Sequence, residues 1–168
     1  LIMPSGGKVA EAEVRFIWKE VQDVNTFTFQ IFPPGNDNPI LTREVRANSL
    51  VLDLQDAGLI PGQRYEWAVA DAESPGRQSA KVAFSYLNPS EKDRLLSQLN
   101  GIDAYQNGSS LDRGLMEAFM LARADFHSGA DARHREVISQ HPASELAKKA
   151  YQKFLMDVGL TELARGVK

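Results

Sequence analysis

His127, His134 and His141 are the only histidines of the chain, and they recur every seven residues. On one continuous helix that spacing sets the imidazoles along a similar face. A zinc site would need them convergent, with a fourth ligand. The sequence argues against convergence. Gly129 is expected to break the helix between the first two, and His141 stands directly before Pro142. Surface or interface histidines are the expected reading. The chain has no cysteine, which excludes thiolate zinc sites, thiolate nucleophiles and disulfides.

The other candidates resolve in the same way. Asp71 and Glu73 in "DAES", beside "PGR", could offer carboxylates to calcium, but that ion takes about six or more oxygens. "GSSLDRG" (108–114) could be read as an anion-binding glycine loop before a helix. It lacks the lysine followed by serine or threonine that a phosphate loop uses, and helix capping accounts for Ser109 and Ser110. Asp53 and Asp56 lie close together at a strand end, where acidic residues are usually solvated. No G-x-S-x-G elbow is present. Trp18 and Trp67 could form a sugar-stacking platform, yet both fall on a predicted core face. "NGS" at Asn107 is a glycosylation sequon, which matters only in a host that uses it. The sequence therefore predicts no catalytic, cofactor-binding or metal-binding residue, and no enzyme activity.

The elements that carry these residues divide the chain in two. The first half alternates with period two: Val14, Phe16 and Trp18; Phe27, Phe29 and Ile31; Leu50, Leu52 and Leu54; Tyr65, Trp67 and Val69; Val82 and Phe84. Alternation of this kind marks strands with one buried face. The separators "PPGNDNP", "DAGLIPG" and "ESPGR" are turn chemistry. Six or seven strands at this spacing predict a β-sandwich. "LIM" at residues 1–3 reads as a short first strand.

The second half changes character at "NPSEKD". Asn88 can cap a helix, Pro89 suits its first position and Glu91 can close a capping box. Leu95, Leu99, Ile102 and Gln106 then predict one helix ending at Gly108. Ser109 or Ser110 starts another, with Leu115, Phe119, Ala122 and Phe126 as its apolar stripe. Gly129 is expected at a C-terminal cap, followed by a shorter helix with Val137 and Ile138. Ser144 caps a last helix whose inner face holds Ala147, Tyr151, Phe154, Leu155 and Val158.

"LIPGQRYEWAV" (59–69) resembles the corner before the sixth strand of fibronectin type III domains. Those domains carry a leucine, a proline–glycine pair and a tyrosine at the spacing of Leu59, Pro61, Gly62 and Tyr65. Trp18 matches the tryptophan of their second strand, and Phe27, Phe29 and Ile31 match the third. The resemblance covers about residues 8–87. It implies a tyrosine packed in the core with its hydroxyl bonded back to backbone near Leu59. The helical half is loosely similar to a tetratricopeptide array. It departs from one in a short helix between Gly129 and Pro142 and in aromatics that do not keep a period of roughly 34 residues.

The resulting expectation is a segregated α+β chain: a seven-stranded fibronectin type III-like sandwich over 1–87 and a bundle of about four short helices over 88–168. "FSYLNPSEKD" leaves little slack at the boundary. It suggests that the first helix lies partly on the sandwich near Tyr86 and Leu87, and that the halves unfold together. The net charge is −3, and nothing in the chain is basic enough to track a phosphate backbone by charge alone. No stretch approaches the roughly 20 apolar residues needed to span a bilayer. The opening "LIMPSGG" suggests a piece of a longer protein. The layout is similar to envelope-exposed segments of bacterial membrane-associated proteins. The expected function is a non-catalytic protein-interaction or spacer module, periplasmic or envelope-exposed, whose partner is another protein or the rest of its own chain. The alternative is a ligand- or carbohydrate-binding module accessory to an enzyme.

Overall fold

The computed structural model describes residues 3–4, 6–74 and 76–167. The chain forms two compact units, Leu1–Asn88 and Pro89–Lys168. The first holds seven strands: β1 (Lys8–Val9), β2 (Glu13–Ile17), β3 (Phe27–Phe32), β4 (Leu41–Val45), β5 (Ser49–Asp53), β6 (Gln63–Asp71) and β7 (Val82–Tyr86). They make a five-stranded sheet of order β1-β7-β6-β3-β4 and a two-stranded sheet of β2 and β5. β1 runs parallel to β7, and every other pairing is antiparallel. Of the expected "LIM" strand, Leu1 and Ile2 lie outside the described residues. Met3 forms an antiparallel bridge to Ile17.

The period-two residues of the sequence build one aromatic core. Phe16 sits at its centre, with ring centroids 4.9 Å from Phe29, 5.2 Å from Trp67 and 5.8 Å from Phe84, all edge to face. Such contacts contribute about 0.5–1.5 kcal/mol each beyond the area they bury. Trp67 satisfies its buried indole N–H by donating to the carbonyl of Pro4 at 2.7 Å. Tyr65 is buried, and its hydroxyl accepts from the Ile60 N–H at 2.8 Å. The corner expected from the sequence is thus closed one residue beyond Leu59. Gly62 takes φ +89° in this corner, a conformation glycine adopts without strain, and its N–H reaches the Tyr86 carbonyl at 2.7 Å.

The second unit holds α1 (Pro89–Ser97), a 3-10 turn (Gln98–Gly101), α2 (Asp103–Gln106), α3 (Ser110–Arg123), α4 (His127–Gln140), α5 (Glu145–Asp157) and α6 (Thr161–Gly166). Three sequence expectations are corrected here. The single helix expected up to Gly108 is cut by the turn at Gln98–Gly101. Gly129 caps nothing: it lies inside α4, and the break falls at Ala124–Phe126, where Asp125 adopts φ +66°. The helix before Pro142 is therefore 14 residues long, not short. Gly159, at φ +82°, separates α5 from α6, an element the apolar pattern did not reveal.

The caps of α3 and α5 behave as read. Ser109 and Asp112 form a reciprocal capping box on α3, and Ser144 accepts from the Ala147 N–H at 3.2 Å on α5. Each such cap contributes about 1 kcal/mol.

Candidate functional site

The stripe of α3 that packs inward is not the one with the largest side chains. Gly114, Ala118 and Leu121 are buried, at i, i+4 and i+7. Small residues let α4 approach closely: a methyl group built on Gly114 would fall 2.5 Å from Cγ2 of Val137. That closeness rotates Leu115, Phe119 and Ala122 off the α3–α4 contact. Phe119 is left 62% exposed.

Phe119 and Arg123 form a ridge with a cleft on each side. One cleft, about 410 Å³, lies among α3, α4 and α5; its lining includes Leu115, Phe119, His134, Ala150, Phe154 and Val158. The other, about 380 Å³, is lined by Leu95, Leu99, Ile102, Met116, Phe119 and Met120 among others. Both walls are mainly apolar. The Arg123 guanidinium lies over the Phe119 ring, 5.8 Å from its centroid, a cation–π arrangement that orients both side chains.

Among the described residues, the buried polar or charged side chains of the unit, Ser128, Asp131 and His134, lie on α4. His134 is 5% exposed and packs against both Tyr151 (5.5 Å) and Phe154 (5.3 Å), which also contact each other at 6.3 Å. Its Nδ1 has no hydrogen-bond partner among the described residues. Burial pushes the imidazole down to about 4, against a smaller opposing pull from Asp131, so the ring is neutral at pH 7. The Asp131 carboxylate, 2% exposed, accepts from the Tyr151 hydroxyl at 2.6 Å and from Arg135 Nε at 2.9 Å. These partners compensate a charge that would otherwise be costly to bury. At the cleft margin, desolvation also lowers the His127 imidazole, with Asp125 pulling the other way. Lys153 and Asp157 pair at 2.9 Å across one turn of α5. A polar chain ties α2, α3 and α4 together. The Tyr105 hydroxyl donates to Glu117 at 2.5 Å, and Arg133 pairs with Glu117 at 2.7 Å and Glu136 at 2.6 Å.

The histidines of the sequence take three different stations. His127 and His134 both line the larger cleft, on one helix rather than two. His141 ends α4, its Nε2 3.1 Å from the Ser110 hydroxyl. Among the described residues no group of three or more His, Cys, Asp or Glu side chains is placed to hold a metal ion. Asp71 spends one carboxylate oxygen on the Glu73 N–H, at 2.9 Å, and faces Arg77 at 4.0 Å. Asp53 accepts from the N–H groups of Gln55 and Asp56. Both carboxylates thus brace their own turns. Trp18 and Trp67 are core residues, each at most 1% exposed. Asn107 ends α2, its side chain bonded to the Asp103 carbonyl at 3.1 Å.

The clefts themselves escaped the sequence reading. The signal was present as a competing stripe, Gly114–Ala118–Leu121, which the larger side chains of Leu115 and Phe119 outweighed. The sandwich carries a smaller hollow, about 290 Å³, at the loop end where Val21, Val24 and Phe27 meet Arg77 and Ser79. Among the described residues no helix is long and apolar enough to cross a membrane. Compared with protein-family models and with curated proteins, the sequence matches none of them.

Proposed function

We propose that the chain is a non-catalytic protein-interaction module, in which a fibronectin type III-like sandwich acts as a stiff spacer and the helical unit presents the contact surface. The observation that carries the proposal is the Phe119 ridge. A large aromatic exposed between two apolar clefts is the form an interaction anchor takes. The partner segment that fits is amphipathic, with apolar side chains for the two clefts and a carboxylate for Arg123. Arg123 has no acidic partner among the described residues. The setting we propose, the extracytoplasmic part of a larger bacterial envelope protein, rests on the sequence layout. An export or anchoring segment encoded upstream of Leu1 would support it.

The test is a displayed library of helical peptides panned on the intact chain and counter-selected on Phe119→Asp. The expected winners carry apolar residues at i, i+3 or i+4 with an acidic neighbour, and lose affinity tenfold or more on Arg123→Glu. Winners that bind the wild type and Phe119→Asp alike would overturn the reading. A second reading, a small-ligand module, is favoured by the size of the 410 Å³ cleft, which lies in the range ligand pockets occupy. It expects saturable binding of small amphiphiles there, with no selected peptide.

A further inference from the structure

We propose that the free edge of β5 is a self-association surface, on which β5 of a second copy of the chain adds as an antiparallel strand. The argument starts from pairing parity. Trp18 N–H donates to the Asn48 carbonyl at 3.0 Å, and Leu54 N–H to the Ala12 carbonyl at 2.9 Å. With the register Phe16↔Leu50 and Val14↔Leu52, Leu50 and Leu52 are the residues that bond to β2, because hydrogen-bonded pairs alternate along an antiparallel ladder. The N–H and C=O groups of Ser49 and Val51, and the Asp53 N–H, therefore point the other way. β2 is the only strand paired with β5 among the described residues. This is an unpaired row of the kind that templates strand addition.

The side chains fit a copy of the same strand. Val51 is 58% exposed on the outer face. Leu50 and Leu52 face the core but are only partly buried at this edge. A two-fold axis through Val51 is the register that pairs the whole strand. It keeps outward-pointing groups opposite outward-pointing groups, sets Leu50 of one copy against Leu52 of the other on the core side, and stacks the two Val51 side chains on the solvent side. It also sets each Ser49 hydroxyl opposite an Asp53 carboxylate, a donor against an acceptor at both ends. A self-complementary patch of this kind closes as a symmetric dimer and does not propagate. The β4 edge, with Thr42, Arg43 and Glu44 exposed, carries the charged residues that discourage pairing.

The test is sedimentation equilibrium of the full chain with two variants. Val51→Pro deletes an outward N–H, makes no demand on the β2 ladder, and places proline where edge strands accept it. Val51→Lys keeps the N–H and brings two like charges together at the axis. The wild type is expected to pass from monomer to dimer as concentration rises. Val51→Pro should weaken that equilibrium tenfold or more with its melting midpoint held. Val51→Lys should weaken it in low salt and recover in high salt, which keeps the test open if the proline variant does not fold. A wild type that stays monomeric at millimolar concentration would overturn the proposal. So would either folded variant that dimerises like the wild type in low salt.

Discussion

The two units bury their polar groups by different means. In the sandwich the large aromatics are interior; the polar tips of Trp67 and Tyr65 reach backbone at Pro4 and Ile60, while Trp18 Nε1 and the Tyr86 hydroxyl have no hydrogen-bond partner among the described residues. In the helical unit the closest packing is made by small residues, Gly114 and Ala118, and the polar side chains are themselves interior. Among the described residues, the buried polar or charged side chains are Ser128, Asp131 and His134, all on α4. The difference sets what each unit can respond to. Among the described residues the aromatic core of the sandwich buries no carboxylate or imidazole for acid to protonate. A core that buries a neutral imidazole loses stability as that ring takes up a proton. The unit with the more conditional interior is also the one with open clefts.

The largest effect that would break this comparison is at Phe16. Phe16→Ala removes the ring that touches Phe29, Trp67 and Phe84 and is expected to cost about 3–5 kcal/mol. Both tryptophans of the chain, Trp18 and Trp67, lie in the sandwich core, so their fluorescence reports that unit alone. Phe119→Ala, an equal truncation on the ridge, should change stability by less than about 0.5 kcal/mol. A Phe16→Ala loss below about 1 kcal/mol would mean the sandwich core repacks freely, and the contrast with the helices would fail.

An intermediate effect belongs to His134. Its folded-state value, about 4, lies below the free imidazole value of about 6.5. The unfolded chain therefore takes up the proton first as pH falls. The stability tied to His134 is complete above about pH 6.5 and is lost progressively down to about pH 4, by up to about 3 kcal/mol. Tyr151, Phe154 and Asp131 surround the ring, and His127, Lys153, Asp157 and Arg123 share its cleft. Urea melts followed by helical ellipticity at pH 7 and pH 5 should show the loss in the wild type and little of it in His134→Phe. Equal slopes in both proteins would place the acid sensitivity elsewhere.

The same contrast explains what could be read from sequence. Strand alternation has a period of two residues, and the aromatics on it are the core, so Phe16, Phe29, Ile31, Tyr65 and Trp67 were legible one by one. Turn chemistry and caps were legible for the same reason: Pro61–Gly62, Ser109 and Ser144 act on their own neighbours. The helical unit misled where size and burial part company. A stripe drawn through Leu115 and Phe119 is the more hydrophobic one, but the close approach of Val137 selects Gly114 and Ala118. Gly129 was read as a stop because glycine is a poor helix former. In α4 it is buried, and packing outweighs propensity. Neither the clefts nor the neutral imidazole could be found before the stripe was placed.

The smallest effect sharpens the comparison at two tyrosines. Tyr65→Phe removes the acceptor of the Ile60 N–H and keeps the ring against Phe84, 5.9 Å away. A fully buried orphan of this kind costs about 1–3 kcal/mol. Ile60, however, is 59% exposed, so water can reach the corner once the hydroxyl is gone. The expected loss is about 1 kcal/mol, the net value of an ordinary hydrogen bond. Tyr151→Phe removes a donor from a carboxylate that water does not reach, since Asp131 is 2% exposed. Its loss should be the larger of the two, because hydrogen bonds to charged groups contribute about 1.5–3 kcal/mol. Denaturant midpoints, by tryptophan fluorescence for Tyr65→Phe and ellipticity for Tyr151→Phe, give both values. An unchanged midpoint in Tyr65→Phe would remove the corner as a stabilising element. A Tyr65 loss exceeding the Tyr151 loss would reverse the comparison, making the sandwich the unit that depends on an interior polar contact.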